Sequence, residues 1–246
     1  MLDKIQDSFD LTLKNSNLQN IVSDFAELSV DSILQEGVLK DIPIVSTLIS
    51  LTKVGISIND KLFLKKILYF INNIKDVPVE TRKEMIEEID GSEKFRVKIG
   101  EKLLYIIESS NDHENSELVS KFFRAFLENK IKYDEFLKCS EIIKKILIGD
   151  LNWFLYEATE DMEPQQAAEM IGSGLFVVSY YEGQIIVDDA HHGNWKDRFA
   201  GTKYEARLED GGTLVNFSQT GKIIKKILFS QEGLEKYQKD NFVDKK

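Results

Sequence analysis

Apolar residues recur along the first two thirds of this chain at intervals of three and four, the period of a helix with one buried face. Leu2, Ile5, Phe9 and Leu13 begin the pattern, and Leu18, Ile21, Val22, Phe25 and Leu28 resume it after Asn15-Ser16-Asn17. Residues 2 to 38 therefore read as helix with a break, ending near Gly37. Ile42 to Ile58 is the least polar stretch, with Pro43 suited to a first helical turn and Asn59-Asp60 to a stop or a restart. A helix over residues 61 to 74 follows, with Leu62, Ile67, Phe70 and Ile71 among its apolar positions, and Pro78 breaks it. The next runs from Val79 through Met85, Ile86 and Ile89 and closes at Gly91. Glu93 to Ser109 is dense in apolar residues and mostly helical, and residues 111 to 115 form a polar loop. Glu117 to Asn129 and Tyr133 to Ala158 are two further amphipathic helices, split by a turn near Lys130.

Near Asp161 the texture changes. Pro164 opens a short helix over Gln165 to Ile171, ended by Gly172-Ser173-Gly174. Strand-like runs follow at Leu175 to Tyr181, Gln184 to Val187, Lys203 to Leu208 and Thr213 to Phe217. Glu182-Gly183 and Asp210-Gly211-Gly212 between them read as hairpin turns. A helix from Gln219 to Phe229 and a charged tail complete the pattern. The fold class is mainly α: an N-terminal multi-helix domain over residues 1 to 160, then a C-terminal winged-helix-like α/β module over residues 161 to 246.

Composition narrows the chemistry. Apolar residues make up 42% and charged residues 30% of the 246, which is globular rather than disordered. A net charge of −10 argues against a broad duplex-binding face, so any nucleic-acid site must be local. The single cysteine, Cys139, has no partner for an internal disulfide and sits in a helical pattern, where it reads as a core or boundary residue. No signal peptide is visible, which points to a cytosolic compartment or the cytosolic face of a membrane. There is no P-loop, dinucleotide fingerprint, HExxH or nucleophile elbow, so no enzyme and no cofactor are expected. His191-His192 beside Asp188-Asp189 are adjacent residues that rarely converge on one ion, and no metal is expected there.

Three stretches carry a resemblance: residues 42 to 70 (IPIVSTLISLTKVGISINDKLFLKKILYF), residues 93 to 143, and residues 167 to 176 (AAEMIGSGLF) with 215 to 228 (VNFSQTGKIIKKIL). Together they resemble a loosely defined set of bacterial proteins with a helical body and a winged-helix-like end, some from phage-defence loci. They also resemble the membrane effectors of the Hailong defence system, ion channels gated by a DNA oligomer bound to a crown-like domain. The likeness is one of texture and covers most of the chain, but no site motif matches residue by residue. It implies a homo-oligomeric, membrane-associated anti-phage effector at the bacterial inner membrane, gated by a ligand at its C-terminal module. The alternative is a cytoplasmic winged-helix-like regulator or adaptor that binds nucleic acid or protein.

Two candidate sites follow from the residues. If Ile42 to Ile58 is one helix, Ser46, Ser50, Lys53 and Ser57 form a narrow polar stripe on an apolar cylinder. In an oligomer that stripe lines a pore; in a globular body it is the solvent face of a core helix. Both stay open, as do two roles for Lys61, Lys65 and Lys66: a headgroup interface across 42 to 71, or an ordinary solvated face. The second site is the loop between the central strands, where Trp195, Phe199 and Tyr204 offer ring faces and Lys196, Arg198 and Lys203 offer phosphate donors. Such interleaving suits a nucleotide or single-stranded nucleic acid. Lys222, Lys225 and Lys226 extend the patch in that reading. The competing readings fold the aromatics back onto the sheet or give the loop to a protein partner.

Overall fold

The computed structural model describes residues 2–15, 18, 39, 41–51, 57–189 and 204–242. The protein is mainly helical, with an α/β module near its C-terminus. Its helices are α1 Leu2–Asn15, α2 Pro43–Leu51, α3 Ile58–Ile74, α4 Val79–Asp90, α5 Ile99–Glu108, α6 His113–Leu127, α7 Tyr133–Ile143 and α8 Ile148–Tyr156. After a single turn α9, Pro164–Ala167, and a 3-10 turn, Ala168–Ser173, come β1 Phe176–Tyr181, β2 Gln184–Asp189, β3 Tyr204–Glu209 and β4 Gly212–Phe217. The helices α10 Gln219–Leu228 and α11 Gln231–Phe242 follow. By contacts the chain divides into two units, one of residues 1–156 with 223–246 and the other of residues 157–222.

The helical unit is built on the apolar stripe of α3, whose Leu64, Ile67, Leu68, Phe70, Ile71 and Ile74 are all buried. They pack chiefly against α6. Phe70 meets Phe123 at 5.6 Å between ring centroids, and Phe123 meets Phe136 of α7 at 5.4 Å. Each such ring contributes roughly 1.5–3 kcal/mol on burial. Cys139 lies in this core, fully buried, and burial, aided by Glu135, pushes its thiol up to about 12, so it stays protonated and inert.

The apolar stretch is not one helix. α2 spans Pro43–Leu51, and Ser57 stands in extended backbone as the N-cap of α3, in a reciprocal capping box with Asp60. Ile44 and Val45 are fully buried, and the Ile44 N–H donates to Thr12 Oγ1 at 3.1 Å, so α2 is tied to α1. No helix among the described residues is long and apolar enough to cross a membrane. Elsewhere, α5 starts at Ile99 rather than near Glu93, and α6 starts at His113, where Asp112 caps it inside the expected loop. The stretch expected as one helix over Tyr133 to Ala158 is two, and the expected tail forms α11.

In the second unit the strands make one long two-stranded ribbon. β1 pairs antiparallel with β4 and β2 with β3. Tyr181 faces Gly212 and Gln184 faces Glu209, three residues further along one path and three residues back along the other, so a single register runs through both pairs. Glu182-Gly183 and Asp210-Gly211 are therefore not hairpin turns. They face each other across an interruption in the ribbon, where a Cβ on Gly211 would come within 2.8 Å of the Gly183 nitrogen and the Tyr181 carbonyl oxygen. The glycines there permit a close approach of two backbones, a use that looks like a turn signal in the sequence.

Candidate functional site

Most of the expected ligand loop, with Trp195, Lys196, Arg198, Phe199 and Lys203, lies outside the described residues. Tyr204 opens β3, where its backbone is paired with Asp189. The lysines expected to extend the patch are partly committed elsewhere. Lys222 pairs with Glu160 at 3.0 Å. Lys225 donates to the Phe154 carbonyl at 3.2 Å and lies over the Phe154 ring. Lys226 is exposed. His191 and His192 also lie outside the described residues, and no group of three His, Cys, Asp or Glu side chains among the described residues could hold a metal ion.

The stripe residues separate. Ser46 and Ser50 share a shallow cleft of about 370 Å³ between α1 and α2 with Lys4, Asp7, Leu11 and Thr47. Both hydroxyls are turned back on their own helix, Ser46 donating to the Pro43 carbonyl and Ser50 to that of Thr47. Lys53 lies outside the described residues, and Ser57 belongs to the cap of α3. Lys66 is not a free surface cation either: it donates to the Glu108 carbonyl at 2.9 Å and to that of Ser110, closing the end of α5.

The arrangement that stands out is the ribbon. Each of its paths covers 14 residues, Phe176 to Asp189 and Tyr204 to Phe217, about 46 Å of strand at ~3.3 Å per residue. Tyr180 is 82% exposed, Ile185 67% and Tyr181 52%. Among the described residues, its anchoring contacts gather at the base. There Val215 exchanges two backbone hydrogen bonds with Met162, at 2.8 and 3.1 Å. The Phe217 N–H donates to a Glu160 carboxylate oxygen, and the rings of Phe176 and Phe217 meet at 5.9 Å. Two-stranded ribbons are marginal alone in water, and this one carries large exposed side chains along its length. The sequence reading missed this arm because it cut the ribbon into separate hairpins at its glycines. The equal spacing of Glu182-Gly183 and Asp210-Gly211 from residues 190–203 was the available signal.

Compared with known protein families, curated proteins and solved structures, the chain matches none of them.

Proposed function

We propose that this chain is a recognition protein, a helical adaptor whose C-terminal ribbon acts as an arm that binds a protein partner through its distal half. The observation that carries this reading is the exposure of Ile185 on a ribbon whose anchoring contacts, among the described residues, gather at its base. Charge favours protein over nucleic acid along the paired strands. Glu182, Asp188, Asp189, Glu205, Glu209 and Asp210 stand there against Arg207 alone, which repels a phosphate backbone and suits a basic protein surface. A photo-crosslinking benzoylphenylalanine in place of Ile185 tests the reading in cells. The expected product is a discrete adduct with a protein other than the chain itself. It should weaken when Glu182 and Asp210, which lie beside it on the arm, are both changed to lysine, because that reverses the charge offered to a basic surface. Adducts with nucleic acid only, or none, would overturn the reading.

A second reading follows the resemblance: a homo-oligomeric, channel-like anti-phage effector, gated by an oligonucleotide at the loop of Trp195, Lys196, Arg198, Phe199, Lys203 and Tyr204. It draws support from Ile58, 76% exposed, and Leu62, 53% exposed, at the start of α3. On this reading these residues meet a membrane or a neighbouring subunit. Flotation with anionic lipid vesicles, abolished by Leu62→Asp, is the result it requires; a chain that stays in the bottom fraction at low salt removes it.

A further inference from the structure

The proximal half of the ribbon has one open edge. β4 has β1 on one side and Met162 on the other, but no strand among the described residues lies beside the outer edge of β1. The direction of its backbone groups follows from the bridge. Val215 spends its N–H and C=O on Met162, away from β1. Its opposite residue, Val178, therefore turns its own pair outward, and by strand alternation Tyr180 does the same. Val178 and Tyr180 thus offer two N–H and two C=O groups to an incoming strand.

Natural edge strands are protected by charge, proline, a bulge or a cover. β1, Phe-Val-Val-Ser-Tyr-Tyr, has no charge, no proline and no glycine. We infer that this edge pairs antiparallel with β1 of a second copy of the chain, about a two-fold axis through Ser179. The two-fold axis stands perpendicular to the sheet and keeps each side chain on its own face, so facing residues must have the same parity. In the register centred on Ser179, Val178 faces Tyr180 and Val177 faces Tyr181, each pair occurring twice by symmetry. These are aromatic–β-branched pairs, among the favourable cross-strand combinations. Val178 and Tyr180 exchange the outward hydrogen bonds, and the two Ser179 residues meet as the close, non-hydrogen-bonded pair. The product is a four-stranded sheet in the order β4-β1-β1-β4, past the three-strand threshold for independent stability.

The uncharged strand admits a second copy, and charge selects the direction. The chain carries −10 and repels itself, yet β1 is an uncharged window through which two copies can approach. Parallel pairing would set the two Glu182 side chains on adjacent strands about 4.8 Å apart. Antiparallel pairing about Ser179 holds them six residues apart, about 20 Å along the strands, beyond the Debye length of about 8 Å at physiological salt. The contact is small, so the dimer is weak and concentration-dependent. It goes beyond the proposed partner binding, which uses the distal half of the arm, and the crosslink at position 185 is scored separately from dimerisation.

Sedimentation of the full-length chain over a range of concentrations, with two variants, tests the inference. The wild type should pass from monomer to dimer as concentration rises. Tyr180→Pro removes an N–H that faces the open edge, together with the ring that would meet Val178, and should weaken the dimer at least tenfold, with circular dichroism unchanged. Ser179→Cys should form a disulfide-linked dimer on mild oxidation, whereas the wild type, whose Cys139 is buried, should not. If Tyr180→Pro perturbs the fold, the Ser179→Cys crosslink decides. A wild type that stays monomeric overturns the inference and leaves the edge to a strand of another protein. A dimer that forms no Ser179→Cys disulfide also overturns it, because the copies then meet elsewhere.

Discussion

Gly100, the second residue of α5, shows how closely the body is packed. A Cβ there would lie 1.8 Å from Oδ1 of Asp10, an oxygen that is buried and has no hydrogen-bond partner among the described residues. The carboxylate leans over the first turn of α5, where free backbone N–H groups and the helix dipole favour negative charge. Its neighbours complete a link between three helices. Lys14 joins Asp10 at 3.3 Å and Asp90 at 2.7 Å, and Asp90 accepts the Ile99 N–H at 2.8 Å. Burial works against the charge on Lys14, but the hydrogen bond to Asp90 and the charge of Asp10 outweigh it, so its pKa is raised. Two effects oppose each other in Gly100→Ala. Helix propensity favours alanine by up to about 1 kcal/mol, while the overlap with Asp10 forces a shift in a packed interface that costs about 1–3 kcal/mol. The overlap should win, leaving a net loss in denaturant unfolding, and adding Asp10→Ala should restore part of it. If Gly100→Ala is as stable as wild type, the Asp10 carboxylate turns aside at no cost and does not fix this interface.

At the scale of elements, the sequence was most readable where one signal acted alone. The α3 stripe, Pro43 at the start of α2 and Gly91 after α4 all stand where period and end signals put them. Readings failed where two signals shared a residue. Ser57 continued an i, i+4 polar stripe and was also the first member of Ser-Ile-Asn-Asp, a capping pattern; the local hydrogen bonds with Asp60 prevailed, and the helix starts again there. Gly183 and Gly211 carried turn chemistry, yet long-range pairing of β2 with β3 used them for close backbone passage. Residues 93 to 98 have apolar content without helix, because Phe95 instead packs edge-on against Tyr133 at 4.8 Å. Of the expected ligand site only Tyr204 falls in a described strand, and its aromatic and basic neighbours lie beyond the described residues. What could be located was its support, the arm, which periodicity could not reveal because strand partners 15 to 41 residues apart leave no local trace.

On the scale of the whole chain, the last residues belong with the helical unit although 66 residues of the other unit, Glu157–Lys222, intervene in sequence. The charged composition of Gln231 to Phe242 reads as a solvated tail, because α11 has no broad apolar face of its own. One side chain among the described residues meets this end of the chain at several points. The Tyr156 ring lies 5.4 Å from that of Tyr237 and 5.7 Å from that of Phe229, and its hydroxyl is 2.1 Å from where a Cβ on Gly233 would stand. Tyr156 is the last residue of α8, so a single ring at a helix end gathers α11 and the end of α10. A charged terminal helix docked at the end of α8 should open locally, well below the free energy of global unfolding. Tyr156→Ala should therefore raise amide exchange across residues 231 to 242 while leaving α3 and α6 unchanged, because their core rings, Phe70 and Phe123, do not touch it. The overall melting temperature should fall little, since the lost contacts are peripheral to that core. Faster exchange spread equally over α3 and α6 would mean instead that the C-terminal helices are part of one cooperative body, and that Tyr156 holds the core rather than the end of the chain.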